Sequence, residues 1–319
     1  MIISKTPFRI SLFGGSTDYE SFYSEHGSLL IGFTIDKYCY ISVRENPKIF
    51  DYKSKISYSE IERVDDNLKI KHNGVRGVLE HLNLLNERLE ISTFSDLPAQ
   101  TGIGSSSAFV AGLIKALRPS TNKLCLAKLA ILVERYLLKE AGGIQDQIWA
   151  AYGGLNSIEI NRDGIFSVKP LPVSDEFIQE FIDRSFLLYT GNSRQSFKIA
   201  SSHNTGSEDL NKLNIQRLAH KALTAFSNED INEIAFILHE SWKSKKSISK
   251  LVSTPEVDEM MDYLLNYGMI GGKLIGSGGS GFIFGIAKDI REKERIKYLF
   301  SQKCIDFSIS KTGSSIINE

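Results

Sequence analysis

Two hydrophobic periods meet at one point in this chain. Leu89-Glu90-Ile91-Ser92-Thr93-Phe94 alternates apolar and polar residues with period two, which predicts a strand. Phe109, Val110, Leu113, Ile114 and Leu117 recur at helical spacing. Between them lies Pro98-Ala-Gln-Thr-Gly-Ile-Gly-Ser-Ser-Ser-Ala108. Upstream, Ile2 to Phe13 predicts a strand, bent at Pro7, that runs into Gly14-Gly15-Ser16-Thr17-Asp18-Tyr19 and a helix-like Tyr19 to Ser24. Leu29 to Phe33 and Tyr38 to Val43 predict two further strands, and Ile49 to Asp66 an edge hairpin. Val75 to Leu85 and Leu124 to Leu138 predict helices, the second stopped by Gly142-Gly143. Leu155 to Ile160 and Ile165 to Val168 flank Asp163-Gly164, a hairpin signal.

The pattern changes near Pro170-Leu171-Pro172, which divides the chain into lobes 1–170 and 171–319. Beyond a strand at Phe186 to Tyr189, helical periods dominate: Arg194 to Ser202, Leu210 to Phe226, Ile231 to Ser241 and Val257 to Tyr267. Lys273 to Gly285 forms two short apolar runs around a glycine-rich turn, followed by a helix at Glu292 to Phe300 and a strand near Ile305 to Ile309. Strands and helices mix without regular alternation, so the expected class is α+β.

Composition narrows the function. With 319 residues, 42% of them hydrophobic, the chain can bury a large core. Lys plus Arg equals Asp plus Glu at 38 each, so no global charge draws it to nucleic acid or an anionic membrane. Cys39, Cys125 and Cys304 are too scattered for a disulfide framework or a metal spacing. No secretory start and no long apolar span stands out, so a soluble cytoplasmic protein is expected, as monomer or homodimer.

The loop at 98–108 carries the first chemistry. Glycines before a helix let backbone amides approach a ligand, and the helix start adds unpaired N–H groups and partial positive charge that suit a phosphate. Ser105, Ser106 and Ser107 can cap the helix, bond phosphate oxygens or hold a cation. A glycine turn with a serine cap explains the same residues, and local pattern leaves both open. The loop is not a Walker motif, because no Gly-Lys-Ser/Thr closes it.

Three glycine- and serine-containing segments occur in order: Pro7-Phe-Arg-Ile-Ser-Leu-Phe-Gly-Gly-Ser-Thr-Asp-Tyr19, then Pro98 to Ala108, then Lys273-Leu-Ile-Gly-Ser-Gly-Gly-Ser-Gly281. Together they resemble the motifs of the GHMP superfamily of small-molecule kinases, named for galactokinase, homoserine kinase, mevalonate kinase and phosphomevalonate kinase. The likeness spans essentially the whole chain. Within the superfamily, Gly-Gly-Ser-Thr-Asp18, the triple serine, Gln145-Asp146-Gln147 and Tyr189-Thr-Gly-Asn-Ser-Arg194 look like the D-glycero-D-manno-heptose 7-phosphate kinases.

That resemblance implies a two-lobed fold with the site in the cleft, and ATP and Mg²⁺ as cofactors. Pro98, Gly102, Ile103, Gly104, Ser105, Ser106, Ser107 and Ala108 would cradle the nucleotide, with Ser106 and Glu134 as magnesium ligands. Glu134 could instead be a solvated residue paired with Arg135 or Lys139. Asp146, twelve positions beyond Glu134, would be the general base, or else the cap of a helix from Gln147 to Tyr152. Arg9 would lie near Asp146 and stabilise charge on the transferring group, with an ordinary inter-strand ion pair as its alternative.

Gly14, Gly15, Ser16, Thr17 and Asp18 would face the sugar, with Gly278 and Gly279 closing on it. Asp18 could also cap the short helix after it. Galactokinases carry an acidic residue where this chain has Gly15, which would favour a larger or anionic acceptor. Arg194 and Lys198, four apart on one helix face, would hold the remote phosphate, or form a solvated basic face; Arg76 and His72 are weaker candidates. Trp149, Trp242, Tyr52 and Tyr58 are expected to pack rather than stack on a base.

The implied activity is ATP-dependent phosphorylation of heptose 7-phosphate at its anomeric hydroxyl. The same chemistry on another sugar, such as a free hexose or deoxyhexose, is the alternative, because the acceptor pocket sets specificity. A ligand sensor on the same fold would be expected to lose Ser106, Glu134 or Asp146, and a decarboxylase would expect a small carboxylic acid. The expected partners are therefore ATP and a small sugar phosphate.

Overall fold

The computed structural model describes residues 1–191 and 208–317. Strand β1 (Ile2–Phe13) is buried along most of its length because both its faces are covered. Through the short helix α1 (Glu20–His26) it leads to β2 (Ser28–Glu45), its antiparallel partner and an 18-residue strand where two were expected. The polar Asp36-Lys37 lies between the two expected strands. The ladder instead absorbs it as an irregularity, the register moving from Pro7↔Tyr38 to Arg9↔Thr34. Irregularities of this kind re-aim the next side chain, and here that side chain is Arg9.

The length of β2 lets it serve two further partners. Its first half, Ser28 to Phe33, pairs with β6 (Leu155–Ile160), which continues to β7 (Phe166–Pro170) through the expected hairpin. Its second half pairs with β5 (Leu89–Ser95), followed by the β3 (Ser54–Ser57) and β4 (Ile61–Val64) hairpin at the sheet edge. After the loop at 98–104, α3 (Ser105–Leu117) packs on β1 and β2, next to α2 (Asn73–His81), α4 (Lys123–Ile131) and α5 (Gln145–Tyr152). The helix expected over Leu124 to Leu138 is two pieces: α4 ends at Ile131, and a π-helical turn runs from Leu132 to Leu137.

A second sheet is drawn from β8 (Ser185–Gly191), β9 (Met269–Leu274), β10 (Gly281–Ala287) and β11 (Cys304–Ile305), in the order β11-β8-β10-β9. Helix α6 (Asp175–Arg184) precedes it and has no counterpart in the expected elements. Ser174 caps it by accepting from the Phe177 amide at 3.1 Å, and Phe177 and Phe181, one turn apart, form its buried stripe. Helices α7 (Glu208–Ser227), α8 (Ile231–Lys246), α9 (Pro255–Asn266) and α10 (Ile290–Leu299) complete this half.

Aromatic side chains join the two sheets. Phe33 of β2 meets Phe181 and Phe284 edge-on at 6.1 and 5.8 Å, and Phe13 meets Phe226 at 6.4 Å. The chain end also crosses back: β12 (Ser315–Ile316) pairs with Ser4 and Lys5 of β1. The class is α+β, as expected. No helix among the described residues is long and apolar enough to cross a membrane.

Candidate active site

The ends of β1, α3, α5, α8 and β9 converge on a cavity of about 430 Å³. Its shape depends on the serine loop. Gly102 and Gly104 take left-handed backbone, φ +80° and +75°, which glycine adopts without steric cost. A methyl group at Gly104 would lie 3.2 Å from the Arg9 stem and 3.5 Å from the Asp146 carboxylate, so the helix start sits directly beside that pair. Ile103 is buried and its carbonyl accepts from the Arg9 amide at 3.1 Å. Pro98, whose carbonyl accepts from Thr101 Oγ1, and the buried Ala108 shape the loop rather than line the cavity. Ser105, Ser106 and Ser107 do line it, in the first turn of α3 where amides lack helical acceptors.

The third motif packs on this loop. A methyl at Gly276 would sit 2.2 Å from the Gly102 Cα, and one at Gly281 the same distance from the Thr101 carbonyl oxygen. Gly276 and Ser277 line the cavity. Gly278 and Gly279 turn away from it onto Val252, whose carbonyl accepts from the Gly279 amide at 3.0 Å.

Glu134 projects from the π-helical turn, an irregularity that recurs at functional sites. It is fully buried and not solvated. Its Oε1 accepts from Ser106 Oγ at 2.8 Å, and its Oε2 accepts from Ser107 Oγ at 2.6 Å and from Gln147 Nε2. Arg135 approaches to 3.8 Å. Burial pushes the Glu134 carboxyl above the usual range, against the opposing pull of Arg135 and the two serines. Glu140 Oε2 lies 3.4 Å from Ser106 Oγ, so one hydroxyl stands between two carboxylates. Hydroxyl and carboxylate oxygens are the donors a hard divalent cation takes. Among the described residues no group of three acidic, His or Cys side chains gathers to hold a metal alone. The set therefore fits an ion that completes its shell with water and phosphate, as Mg²⁺ does.

At the cavity, which Glu134 itself does not line, Arg9 grips Asp146 with both prongs: Nε donates to Oδ1 at 2.8 Å and Nη2 to Oδ2 at 2.7 Å. Arg9 Nη1 also donates to the Gly102 carbonyl, tying the pair to the serine loop. Asp146 lies inside the first turn of α5, not at its cap, which is Ile144. Its side chain keeps 25% exposure against 8% for Arg9, so the carboxylate is the member open to the cavity.

The first motif splits by role. Gly15, Ser16 and Asp18 line the cavity. Gly14, at φ +78°, presses on the Leu29 carbonyl of β2, and the fully buried Thr17 bonds the Gly14 carbonyl at 2.7 Å and meets Ser28 Oγ at 2.6 Å. Asp18 is also buried, its oxygens accepting from the Gln145 amide at 3.2 Å and Gln145 Nε2 at 3.0 Å. Burial first, then the Asp146 charge, pushes its carboxyl up.

Of the cations expected at the remote phosphate, Arg194 and Lys198 lie outside the described residues. Arg76 bonds Ile70 and Asn73, and His72 caps α2, accepting from the Val75 amide at 3.3 Å; neither lines the cavity. Two lysines given no role from sequence do line it: Lys245 of α8 and Lys273 of β9. Lys245 donates to the Gly276 carbonyl, and Lys273 to the Leu12 carbonyl at 2.9 Å. Burial, helped by Arg9, pushes Lys245 down to about 8 against the opposing charges of Asp18 and Asp146. Lys273 is pushed well below the usual lysine range by burial, then by Lys245 and Arg9. The sequence held a signal for the first: Lys245 continues the buried stripe of Ile231, Ile234, Leu238, Ser241 and Trp242.

Comparison with known proteins identifies the family. Residues 73–154 match the GHMP kinases N terminal domain and residues 219–306 match GHMP kinases C terminal. The D-glycero-alpha-D-manno-heptose 7-phosphate kinase of Campylobacter jejuni subsp. jejuni serotype O:2 is 31% identical over 331 residues, covering 98% of this chain and 97% of that one. A mevalonate kinase of Methanocaldococcus jannaschii is 26% identical over 319 residues, covering 93% and 96%. In fold, the chain superposes on a D-glycero-D-manno-heptose 1-phosphate kinase from Bacteroides thetaiotaomicron with TM-score 0.82 at 23% identity, covering 100% and 99%. With the cavity, the serine loop and both matched domains in place, the chain belongs to the GHMP kinase family.

Proposed function

We propose that this kinase transfers the γ-phosphoryl group of ATP to the anomeric hydroxyl of D-glycero-D-manno-heptose 7-phosphate, giving the 1,7-bisphosphate. The observation that carries the chemistry is the Arg9–Asp146 pair, held against the helix start at Gly104. The likeness to the Campylobacter enzyme supports the choice of acceptor.

In this reading the amides of Ser105 to Ser107 and the left-handed glycines receive the nucleotide phosphates. Asp146 accepts the hydroxyl proton as the sugar oxygen attacks phosphorus and the bond to the β-phosphate oxygen breaks, releasing ADP. Arg9 fixes the Asp146 plane through two hydrogen bonds and sets positive charge beside the transferring group. Ser106 and Glu134 would hold the Mg²⁺ ion, which supplies charge neutralisation at the phosphates when bound. Gly15 leaves room near Ser11 and Gln145, with 3.6 Å between Ser11 Oγ and a methyl built there, which suits a bulky acceptor. Division into lobes 1–170 and 171–319 is supported by the second sheet, drawn wholly from Ser185 to Ile305.

The test offers purified protein, ATP and Mg²⁺ with free and phosphorylated heptoses and hexoses, and follows ADP release. The expected result is kcat/KM for heptose 7-phosphate at least about 100-fold above any unphosphorylated sugar, the discrimination a buried charged contact provides. A free hexose or deoxyhexose as the best acceptor would refute the substrate and keep the kinase.

A further inference from the structure

Lys245 and Lys273 are an unusual pair. They are only 5% and 3% exposed, they line the same cavity, and they come from different elements of the C-terminal half. Each gives one N–H to a backbone carbonyl, which leaves two donors on each ammonium group. Among the described residues, no carboxylate lies within ion-pair distance of either. The nearby acids are already engaged, Asp146 by Arg9 and Asp18 by Gln145. Two buried ammonium groups without a carboxylate in contact are costly, and they are retained where an anion completes them.

A third group points the same way. Ser11 Oγ on β1 is buried, has no hydrogen-bond partner, and lines the same cavity. The side of the cavity is also defined. The charges that act on Lys245 are Arg9, Asp18 and Asp146, whereas Glu134 feels Arg135 and Glu140. Lys245 therefore lies in the field of Asp18 and Asp146, and Lys273, which donates to the Leu12 carbonyl of β1, lies in that of Lys245 and Arg9.

We infer that Lys245, Lys273 and the Ser11 hydroxyl form a dry anion recess that takes the phosphate monoester already carried by the acceptor. This rests on the reaction proposed above and adds the residues that make the enzyme require a phosphorylated sugar. The recess reads a phosphate dianion through two ammonium groups and one hydroxyl. The sugar ring is left to Asp18, Gln145 and the Gly15–Ser16 turn.

The experiment compares wild type with Lys245→Met, Lys273→Met and Ser11→Ala in the full chain, using heptose 7-phosphate, free heptose and inorganic phosphate as inhibitor. Methionine keeps the apolar stem, and thermal unfolding checks that each variant is folded. Each lysine variant should lower the preference for heptose 7-phosphate over free heptose by about 30–100-fold, mainly through KM, and remove inhibition by inorganic phosphate. Ser11→Ala should give about a tenfold loss in the same ratio. Equal loss of kcat on both acceptors, with phosphate inhibition intact, would assign the lysines to the transferring group and overturn the recess. If wild type phosphorylates only free sugars, the proposed reaction fails separately. Loss of phosphate inhibition in the lysine variants would then place an anion site at the two lysines without the acceptor role, and unchanged inhibition would overturn the recess altogether.

Discussion

Asp146→Asn should lower kcat by about 10³-fold while leaving nucleotide affinity within about twofold, since proton acceptance by a positioned carboxylate is worth roughly 10²–10⁴. The substitution keeps size and keeps one oxygen for Arg9, so the bidentate grip becomes a single hydrogen bond and the loop at Gly102 stays attached through Arg9. What it removes is the proposed base. Steady-state turnover and nucleotide binding by calorimetry separate the two effects. A parallel fall in both would make Asp146 a structural partner of Arg9. Full activity would move the proton to another acceptor, and Asp18, a cavity-lining carboxylate that feels the Asp146 charge, is the candidate.

The second large effect is expected from Glu134→Gln, with turnover down by about 10²–10³-fold and the magnesium dependence of nucleotide binding abolished. The fold should survive. An amide can still accept from Ser106 or Ser107, and it carries no buried charge. Burial raises the Glu134 carboxyl, so its stabilising neutral form is lost as pH rises through that elevated value. A neutral amide is therefore expected to give an unfolding midpoint at or above wild type near neutral pH. A lower midpoint with an unchanged response to Mg²⁺ would make Glu134 a buried structural hub for Ser106, Ser107 and Gln147.

The parts of the site visible in the sequence are those where one local stretch carries its own chemistry. Pro98 to Ala108 joins glycines, serines and a helix start within a few residues, and the structure uses them together at the cavity edge. Arg9 and Asp146 are far apart along the chain, yet each sits in a recognisable segment, and the structure unites them in one bidentate pair. Motif membership could not say which residues face the ligand. Within Gly14 to Asp18, only packing against β2 decides that Gly14 and Thr17 build the turn while Gly15 and Ser16 look outward. The same holds for Gly278 and Gly279, directed to Val252 by the α8–α9 connection.

Other features lie beyond local pattern for identifiable reasons. The polar Asp36-Lys37 interrupts the apolar run of β2, but pairing with β1 carries the strand across it. A short helix such as α6 offers only a two-aromatic stripe between extended segments. Helical spacing cannot distinguish an α-turn from the π-turn that presents Glu134. Lys273 is hidden most completely, because a lysine in an apolar strand gains its meaning only from the cavity on which the strand ends.

The proposed transfer ends on the anomeric oxygen of the acceptor. Phosphorus NMR of the product from ATP and heptose 7-phosphate tests it in one spectrum. The expected spectrum has a second phosphomonoester signal coupled to the anomeric proton, formed one for one with ADP. A new signal coupled to any other ring proton, or ADP released with only the original phosphomonoester present, would contradict it.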